Sequence, residues 1–332
     1  MPSTPDTSTT QKPETAFVLA GGGSFGAVQV GMLKALARAG VVPDLVVGSS
    51  VGAYNAALFA SDPTVEGAER LARIWHGIRR QDAFPITLST LWRFVWRGDV
   101  LVSSTGLKRL IDAHLPCRRI EETRVPLHIV ATDFFTGQPR VLSQGPAREA
   151  ILASSAIPAA FAPVRIGDRY LVDGAVTSNT PVRIAVKLGA RRLVVLPTGF
   201  ACDLKSPPRG AIPAAMHALT LLIARQLVFE LESLDPSISF AIVPTLCPLD
   251  GSPYDFSRTA ELMESAQRLA EEWIDAGGLD SSRVPDQLRP HHHGENHDHD
   301  HHHGHDHAHH HGHHHHGDHK SHDHGHAHHG VA

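Results

Sequence analysis

Gly48-Ser49-Ser50-Val51-Gly52 places a serine hydroxyl between two glycines in the pattern G-x-S-x-G. The run Leu45-Val46-Val47 before it reads as a strand, and the residues from Val51 onward read as a helix. In that context the pattern makes a sharp strand-to-helix turn that lifts the serine Oγ out as a nucleophile. The glycines leave room for the turn, and the helix that follows points its N-terminus at developing negative charge. Three fixed positions in five recur by chance in many unrelated chains, so the flanking elements carry the signal. A second group, Gly21-Gly22-Gly23-Ser24-Phe25-Gly26, follows another strand-like run, Ala16–Ala20. Consecutive glycines let backbone N–H groups converge on an anion, which in acyl transfer is the oxyanion of the tetrahedral intermediate.

That loop has a competing reading. Gly21, Gly23 and Gly26 also satisfy G-x-G-x-x-G, the dinucleotide fingerprint of a nucleotide-binding oxidoreductase. The fingerprint needs an acid at the end of the second strand to hold a ribose. Here that strand ends in Gly48-Ser49-Ser50, and Asp44 lies at its beginning. A tight turn without a ligand is the third reading, and a P-loop is excluded because Ala27 and Val28 follow Gly26.

A nucleophilic serine needs a base. The histidines outside the C-terminal tract are His76, His114, His128 and His217, and each falls inside or at the end of a regular element, where a structural role is the simpler reading. Two aspartates instead follow strand-like runs, Asp133 after Leu127–Ala131 and Asp173 after Tyr170–Val172. Open α/β sheets place ligands at such strand ends. Asp173 is followed by the small residues Gly174 and Ala175; taken alone, an Asp-Gly pair is a turn.

The elements needed to position these residues are legible in the periodicity. Helices are expected over Ala27–Ala39, Val51–Ala60, Val65–Arg79, Ala147–Ser154, Pro181–Leu188, 213–232 and 258–276. Further strands are expected at Asp44–Val47, Leu127–Ala131, Arg140–Leu142, Tyr170–Val172, Arg192–Leu196 and 239–243. Strand–helix alternation of this kind implies an α/β fold, a three-layer α/β/α sandwich around a mainly parallel sheet.

The glycine loop, Gly48–Gly52 and Asp173-Gly174-Ala175, in that order, resemble the three signatures of bacterial patatin-like phospholipases. Ala131-Thr132-Asp133, Ala153–Pro158 with Phe161 and Pro163, and Ser178–Pro181 add to the likeness, which runs from about Phe17 to Thr198. The resemblance implies a serine carboxylic-ester hydrolase acting on phospholipid or other acyl esters through a Ser–Asp dyad, with no histidine and no catalytic cofactor. Carried over position by position, Ser50 is the nucleophile, Asp173 the base, and Gly21, Gly22, Gly23, Ser24, Phe25 and Gly26 the oxyanion loop, with Gly48, Ser49, Val51 and Gly52 shaping the elbow. The family's loop commonly has Arg or Lys before its last glycine, where this chain has Phe25. No basic side chain is therefore expected there for an anionic head group, while the backbone donors remain.

The chain has 332 residues, 42 % hydrophobic and 19 % charged, enough for a large core. Residues 1–14 are polar and read as a disordered lead, 15–289 as the folded body, and 290–332 as a disordered tail. The tail holds all but four of the 27 histidines, among them His291, His292, His293, His297, His299, His301, His302 and His303. Imidazole beside carboxylates suits Zn, Ni, Cu or Co, and the absence of fixed spacing implies several weak sites. The tract is broken by Asp, Gly and Ala, unlike an uninterrupted purification tag, and reads as native. A non-catalytic metal-buffering protein is accordingly a further alternative. Without the tail, basic and acidic residues nearly balance, so nucleic acid is not an expected partner. Three widely spaced cysteines do not suggest a disulfide framework, and no secretory signal or spanning segment is read, so a cytoplasmic protein is expected. Phe84–Arg97, with Trp92 and Trp96 among arginines, reads either as a core helix or as a segment in peripheral contact with the inner face of a membrane.

Overall fold

Ala16-Phe17-Val18-Leu19 and Leu193-Val194-Val195-Leu196 are apolar at every position, which suits strands covered on both faces and not strands with one face in water. A computed structural model describes residues 15–83, 102–199, 210–247, 249, 252–285 and 288, all within the first of the two units into which the chain separates, residues 1–291. In chain order its elements are β1 (Thr15–Leu19), α1 (Gly26–Arg38), β2 (Leu45–Ser49), α2 (Val51–Ser61), α3 (Val65–Gly77), α4 (Arg80–Ala83) and α5 (Thr105–His114). There follow β3 (Leu127–Asp133), β4 (Pro139–Leu142), α6 (Ala147–Ser154), β5 (Val164–Ile166), β6 (Arg169–Asp173), α7 (Ala175–Ser178) and α8 (Val182–Lys187). The last are β7 (Arg192–Leu196), α9 (Ala211–Glu232), β8 (Ser239–Ile242) and α10 (Thr259–Asp275).

The strands form one sheet in the order β5-β6-β3-β2-β1-β7-β8, with β4 on the other edge of β3. The stretch β3-β2-β1-β7-β8 is parallel, while β4, β6 and β5 join antiparallel. Side-chain alternation divides the core between the two faces. Phe17 and Leu19 join Leu33, Phe59, Leu71, Ile151 and Met263 from α1, α2, α3, α6 and α10. Ala16 and Val18 join Val182, Ala185, Leu227 and Leu231 from α8 and α9. The mainly parallel three-layer α/β/α sandwich expected from the sequence is thus the fold observed.

The helix and strand boundaries expected from periodicity lie within two residues of those observed, and α6 and β7 coincide with them. α4, β5 and α7, three or four residues long, were not anticipated, because such short elements carry no period; the ten-residue α5 was expected only as a regular element around His114, without bounds. Cys247 is disulfide-bonded and Cys117 is a buried free thiol, so the chain holds a disulfide that the spacing of its cysteines did not suggest. Pairing depends on spatial approach, and wide sequence spacing does not report it. Among the described residues no helix is long and apolar enough to cross a membrane. Residues 1–14, Phe84–Arg97 and the histidine tail lie outside those described.

Helices α1 and α10 on the first face meet at a glycine. A Cβ on Gly31 of α1 would stand 2.2 Å from the Met263 carbonyl oxygen and 2.8 Å from the Gln267 amide nitrogen, both backbone atoms of α10. No rotamer relieves that clash, so the helices must separate. Gly31→Ala is expected to destabilise the fold by about 1–3 kcal/mol in denaturant titration, despite alanine's better helix propensity. A stability equal to or above the parent would mean that the two helices do not pack this closely.

Candidate active site

β2 and β6 lie on the same edge of β3. Residues 129 and 130 pair with both β2 and β4, while 131 and 132 pair with both β6 and β4, so β2 and β6 share the edge opposite β4. Parallel β2 stops at Ser49, opposite Val130. Antiparallel β6 arrives from the other direction and ends at Asp173, opposite Ala131. The ends of the two strands therefore meet, and the next residue after β2 is Ser50. Its Oγ donates a 2.8 Å hydrogen bond to Asp173 Oδ2.

The turn at Ser50 is tight. Its φ of 54° and ψ of −125° lie where non-glycine residues are rare, at a cost of about 1–3 kcal/mol. The flanking glycines permit it: a Cβ on Gly48 would stand 2.4 Å from the Gly52 carbonyl oxygen, and one on Gly52 2.4 Å from that of Leu19. Ser154, at the end of α6, braces the turn. Its Oγ accepts from the Ser50 amide at 2.9 Å and donates to the Val130 carbonyl oxygen. One hydroxyl thereby fixes the elbow to β3. Nothing in the sequence distinguished Ser154 from Ser155.

Asp173 is 3 % exposed and Ser50 8 %. Burial pushes the Asp173 carboxyl up to about 6, against smaller lowering effects from the Ala175 amide on Oδ1 at 2.8 Å and from Ser50. The Asp173 backbone is fixed through its amide to Ala156 and through its carbonyl to Thr132 Oγ1. A Cβ on Gly174 would stand 2.2 Å from the Val130 carbonyl oxygen, so the residue after the aspartate must be glycine for β6 to end here.

The glycine loop lies beside this pair. A Cβ on Gly21 would stand 3.1 Å from Ser50 Cβ. Four of its six amides are committed: Gly21 to Asn179 O, Ser24 to Pro253 O, Phe25 to Gly22 O, and Gly26 to Gly23 O and Ser24 O. The amides of Gly22 and Gly23 have no acceptor among the described residues. The loop's seat is a buried polar chain that sequence reasoning missed. Trp75 Nε1 donates to Asn55 Oδ1, Asn55 Nδ2 to Gln29 Oε1 and Gly26 O, and Gln29 Nε2 to the carbonyls of Ala20 and Leu196. It ties α3, α2 and α1 to the ends of β1 and β7. Thr198 Oγ1 donates to Gly21 O from the far side. Residues 252–254 sit over the loop, and the Tyr254 phenol is raised by burial and then by the Asp173 charge.

The other candidates fall elsewhere. The Asp133 carboxyl is held down at about 2 by the Thr136 amide and the Arg169 guanidinium, and serves a turn and ion pairs. Asp44 receives the Thr15 amide at 2.7 Å, at the opposite end of β1 from the glycine loop, so it cannot hold a ribose there. His76 and His114 are exposed, and His128 Nδ1 contacts Ser143 Oγ. Neither these nor His217 bonds Ser50 or Asp173. No His/Cys/Asp/Glu cluster able to hold a metal occurs among the described residues. A cavity of about 360 Å³ between α5, α6 and β5 is lined by apolar residues such as Leu107, Phe161 and Val164 and by Lys108, Arg148 and Glu149; Ser50 and Asp173 do not line it.

A buried acid with a raised pKa weakens the fold when ionised. Relative to an unfolded carboxyl near 3.8, the cost is absent below about pH 4, grows through about pH 6 and is full above it, reaching at most about 3 kcal/mol. Asp173→Asn keeps the acceptor for Ala175 and removes the charge. The variant should therefore be more stable than the parent at about pH 8, with the gain vanishing near pH 4. A loss of stability at the higher pH would show that the carboxylate is not desolvated.

The family model for patatin-like phospholipases matches residues 17–186. Patatin-like phospholipase domain-containing protein 7 of Mus musculus is 28 % identical over 186 residues, covering 55 % of this chain and 13 % of that protein. An uncharacterized NTE family protein of Mycobacterium tuberculosis is 34 % identical over 169 residues, covering 51 % and 27 %. The chain thus spans a small part of the curated relatives' length. Among solved structures, human GIVD cytosolic phospholipase A2 in complex with methyl gamma-linolenyl fluorophosphonate aligns over 83 % of this chain and 58 % of its own, at 14 % identity and TM-score 0.45. VipD from Legionella pneumophila aligns over 80 % and 67 %, at 14 % and 0.43. With half of its length matched by the family model, the chain belongs to the patatin-like phospholipase family.

Proposed function

We propose that this protein is a lipid acyl hydrolase in which Ser50 is the nucleophile and Asp173 its base. The observation that carries the reading is the 2.8 Å hydrogen bond from Ser50 Oγ to a carboxylate whose pKa is raised to about 6. A carboxylate is ordinarily a weak base; desolvation brings Asp173 close enough to neutrality to accept a serine proton and return it. In the first half-reaction Asp173 Oδ2 takes the Ser50 proton while Oγ attacks the ester carbonyl carbon. The amides of Gly22 and Gly23 hold the oxyanion. The intermediate collapses, the alcohol leaves with the proton from Asp173, and the acyl group stays on Ser50. In the second half-reaction water gives its proton to Asp173 and attacks the acyl carbonyl. The fatty acid departs and the proton returns to Oγ. Phospholipids and other acyl esters are the substrate class that fits the family, and no cofactor takes part. The nucleotide-binding alternative lacks its ribose acid, since Asp44 is committed at the other end of the sheet.

Ser50→Ala and Asp173→Asn should each lower hydrolysis of a dispersed short-chain ester and of phospholipid by several powers of ten, on the order of 10⁴ or more. His76→Ala, His114→Ala, His128→Ala and His217→Ala should each retain most activity. Undiminished turnover in Ser50→Ala, or a histidine variant as inactive as Asp173→Asn, contradicts the dyad. Absence of turnover in the parent on every ester tried favours the non-catalytic alternative.

The histidine tail is a separate proposal resting on its composition. Neutral imidazoles interleaved with carboxylates bind Zn, Ni, Cu or Co at several weak sites. Truncation after Pro290 should remove most Zn and Ni uptake and leave ester turnover unchanged. Equal metal stoichiometry with and without the tail refutes it.

A further inference from the structure

Three aromatic rings cluster on the surface. Phe134 and Phe135, in the turn after β3, are 51 % and 77 % exposed, and Tyr170 of β6 is 40 % exposed. Phe135 meets Phe134 edge-on at 5.4 Å between ring centroids and meets Tyr170 edge-on at 6.0 Å. The Phe134 amide bonds the Tyr170 carbonyl at 2.8 Å, which fastens the turn to β6. Arg165, opposite Tyr170 in the β5–β6 register, holds its guanidinium carbon 6.0 Å from the Tyr170 ring centroid. Its only hydrogen bond among the described residues is from Nε to Gly167 O, and among those residues it has no acidic partner. Arg169, next to Tyr170 in the chain, is in an ion pair with Asp133. Exposing this much aromatic surface to water is unfavourable, and the cluster adds nothing to the core.

We infer that the Phe134–Phe135–Tyr170 cluster, with Arg165 beside it, is the surface by which this protein docks on an anionic lipid bilayer. Aromatic rings with an adjoining arginine match the chemistry of a bilayer interface, rings toward the acyl boundary and guanidinium toward phosphate. The placement matches as well. β2 and β3 run parallel, so the Phe134 turn projects from the same sheet edge as Ser50. Tyr170 lies three residues before Asp173 on β6, a rise of about 10 Å. A surface element that penetrates roughly 5–10 Å into the head-group region brings the plane of Ser50 and Asp173 to the level of the ester bonds. This inference rests on the lipid hydrolase reading for its choice of a bilayer over a protein partner.

Vesicles of equimolar phosphatidylcholine and phosphatidylglycerol test it by co-sedimentation, using the full chain with Ser50→Ala so that lipid is not consumed. Phe134→Ser plus Phe135→Ser in that background should lower vesicle partitioning at least about tenfold. Val42→Ser, which removes an exposed apolar side chain preceding β2 at the opposite end of the sheet, should leave it unchanged. With Ser50 restored, the double phenylalanine variant should hydrolyse a dispersed short-chain ester at the parental rate. Arg165→Gln should reduce the preference for these vesicles over pure phosphatidylcholine, and it decides the matter if the double variant does not fold. Equal partitioning by parent and double variant overturns the inference, as does a parent that does not partition. A parental dimer that the double variant converts to monomers, with vesicle partitioning unchanged, would reassign the surface to contact between copies and overturn it too. Partitioning lost with the phenylalanines in a protein that hydrolyses no ester would uphold the docking surface and remove the hydrolase reading.

Discussion

β3 is longer than its parallel neighbour, and the site depends on that difference. β2 turns away at Ser50, leaving the edge of Ala131–Asp133 without a partner on that side. Unpaired backbone groups at a buried edge are costly, and β6 satisfies them by entering antiparallel. The register then determines which side chains meet. Asp173 pairs with Ala131, one residue beyond the Ser49–Val130 pair. A shift of one residue would turn Asp173 to the other face of the sheet. The approach of Ser50 to Asp173 is therefore set by backbone hydrogen bonding before either side chain contributes.

Two unfavourable terms are concentrated at this junction, a serine at positive φ and a carboxylate out of water. Both are held by polar groups that are themselves buried and satisfied. Ser154 links the elbow amide to β3, the Ala175 amide occupies the second carboxylate oxygen, and Thr132 fixes the aspartate's own carbonyl. Beneath the glycine loop, the Trp75–Asn55–Gln29 chain holds three helices and the ends of two strands in one arrangement. Removing any member strands a buried partner, so the chain makes the loop rigid as well as positioned.

Periodicity located the sheet and its helices because their residues are buried on repeating faces, and the runs Arg192–Leu196 and Ala147–Ser154 match the observed elements end to end. The Ser50 elbow was legible for a related reason: G-x-S-x-G needs glycine where an added Cβ would stand only 2.4 Å from a neighbouring carbonyl oxygen. The choice of Asp173 over Asp133 was not legible from the residues alone, since both follow strands; it came with the family likeness. The structure separates them physically, one desolvated and raised, the other held down by Arg169 and turn amides. Gln29, Asn55 and Ser154 gave no signal, because a polar residue in an apolar helix looks the same whether it bonds a neighbour or faces water. The exposure of Phe134 and Phe135 was equally hidden: aromatic residues after a buried strand read as more core.

The most direct measurement is the rate at which a fluorophosphonate labels the protein as a function of pH, with the adduct located by mass spectrometry. A single adduct on Ser50, forming at a rate that rises with a midpoint near the Asp173 pKa of about 6 and loses that dependence in Asp173→Asn, is the expected result. Labelling at another residue, or a midpoint that persists in Asp173→Asn and disappears in a histidine variant, would contradict it.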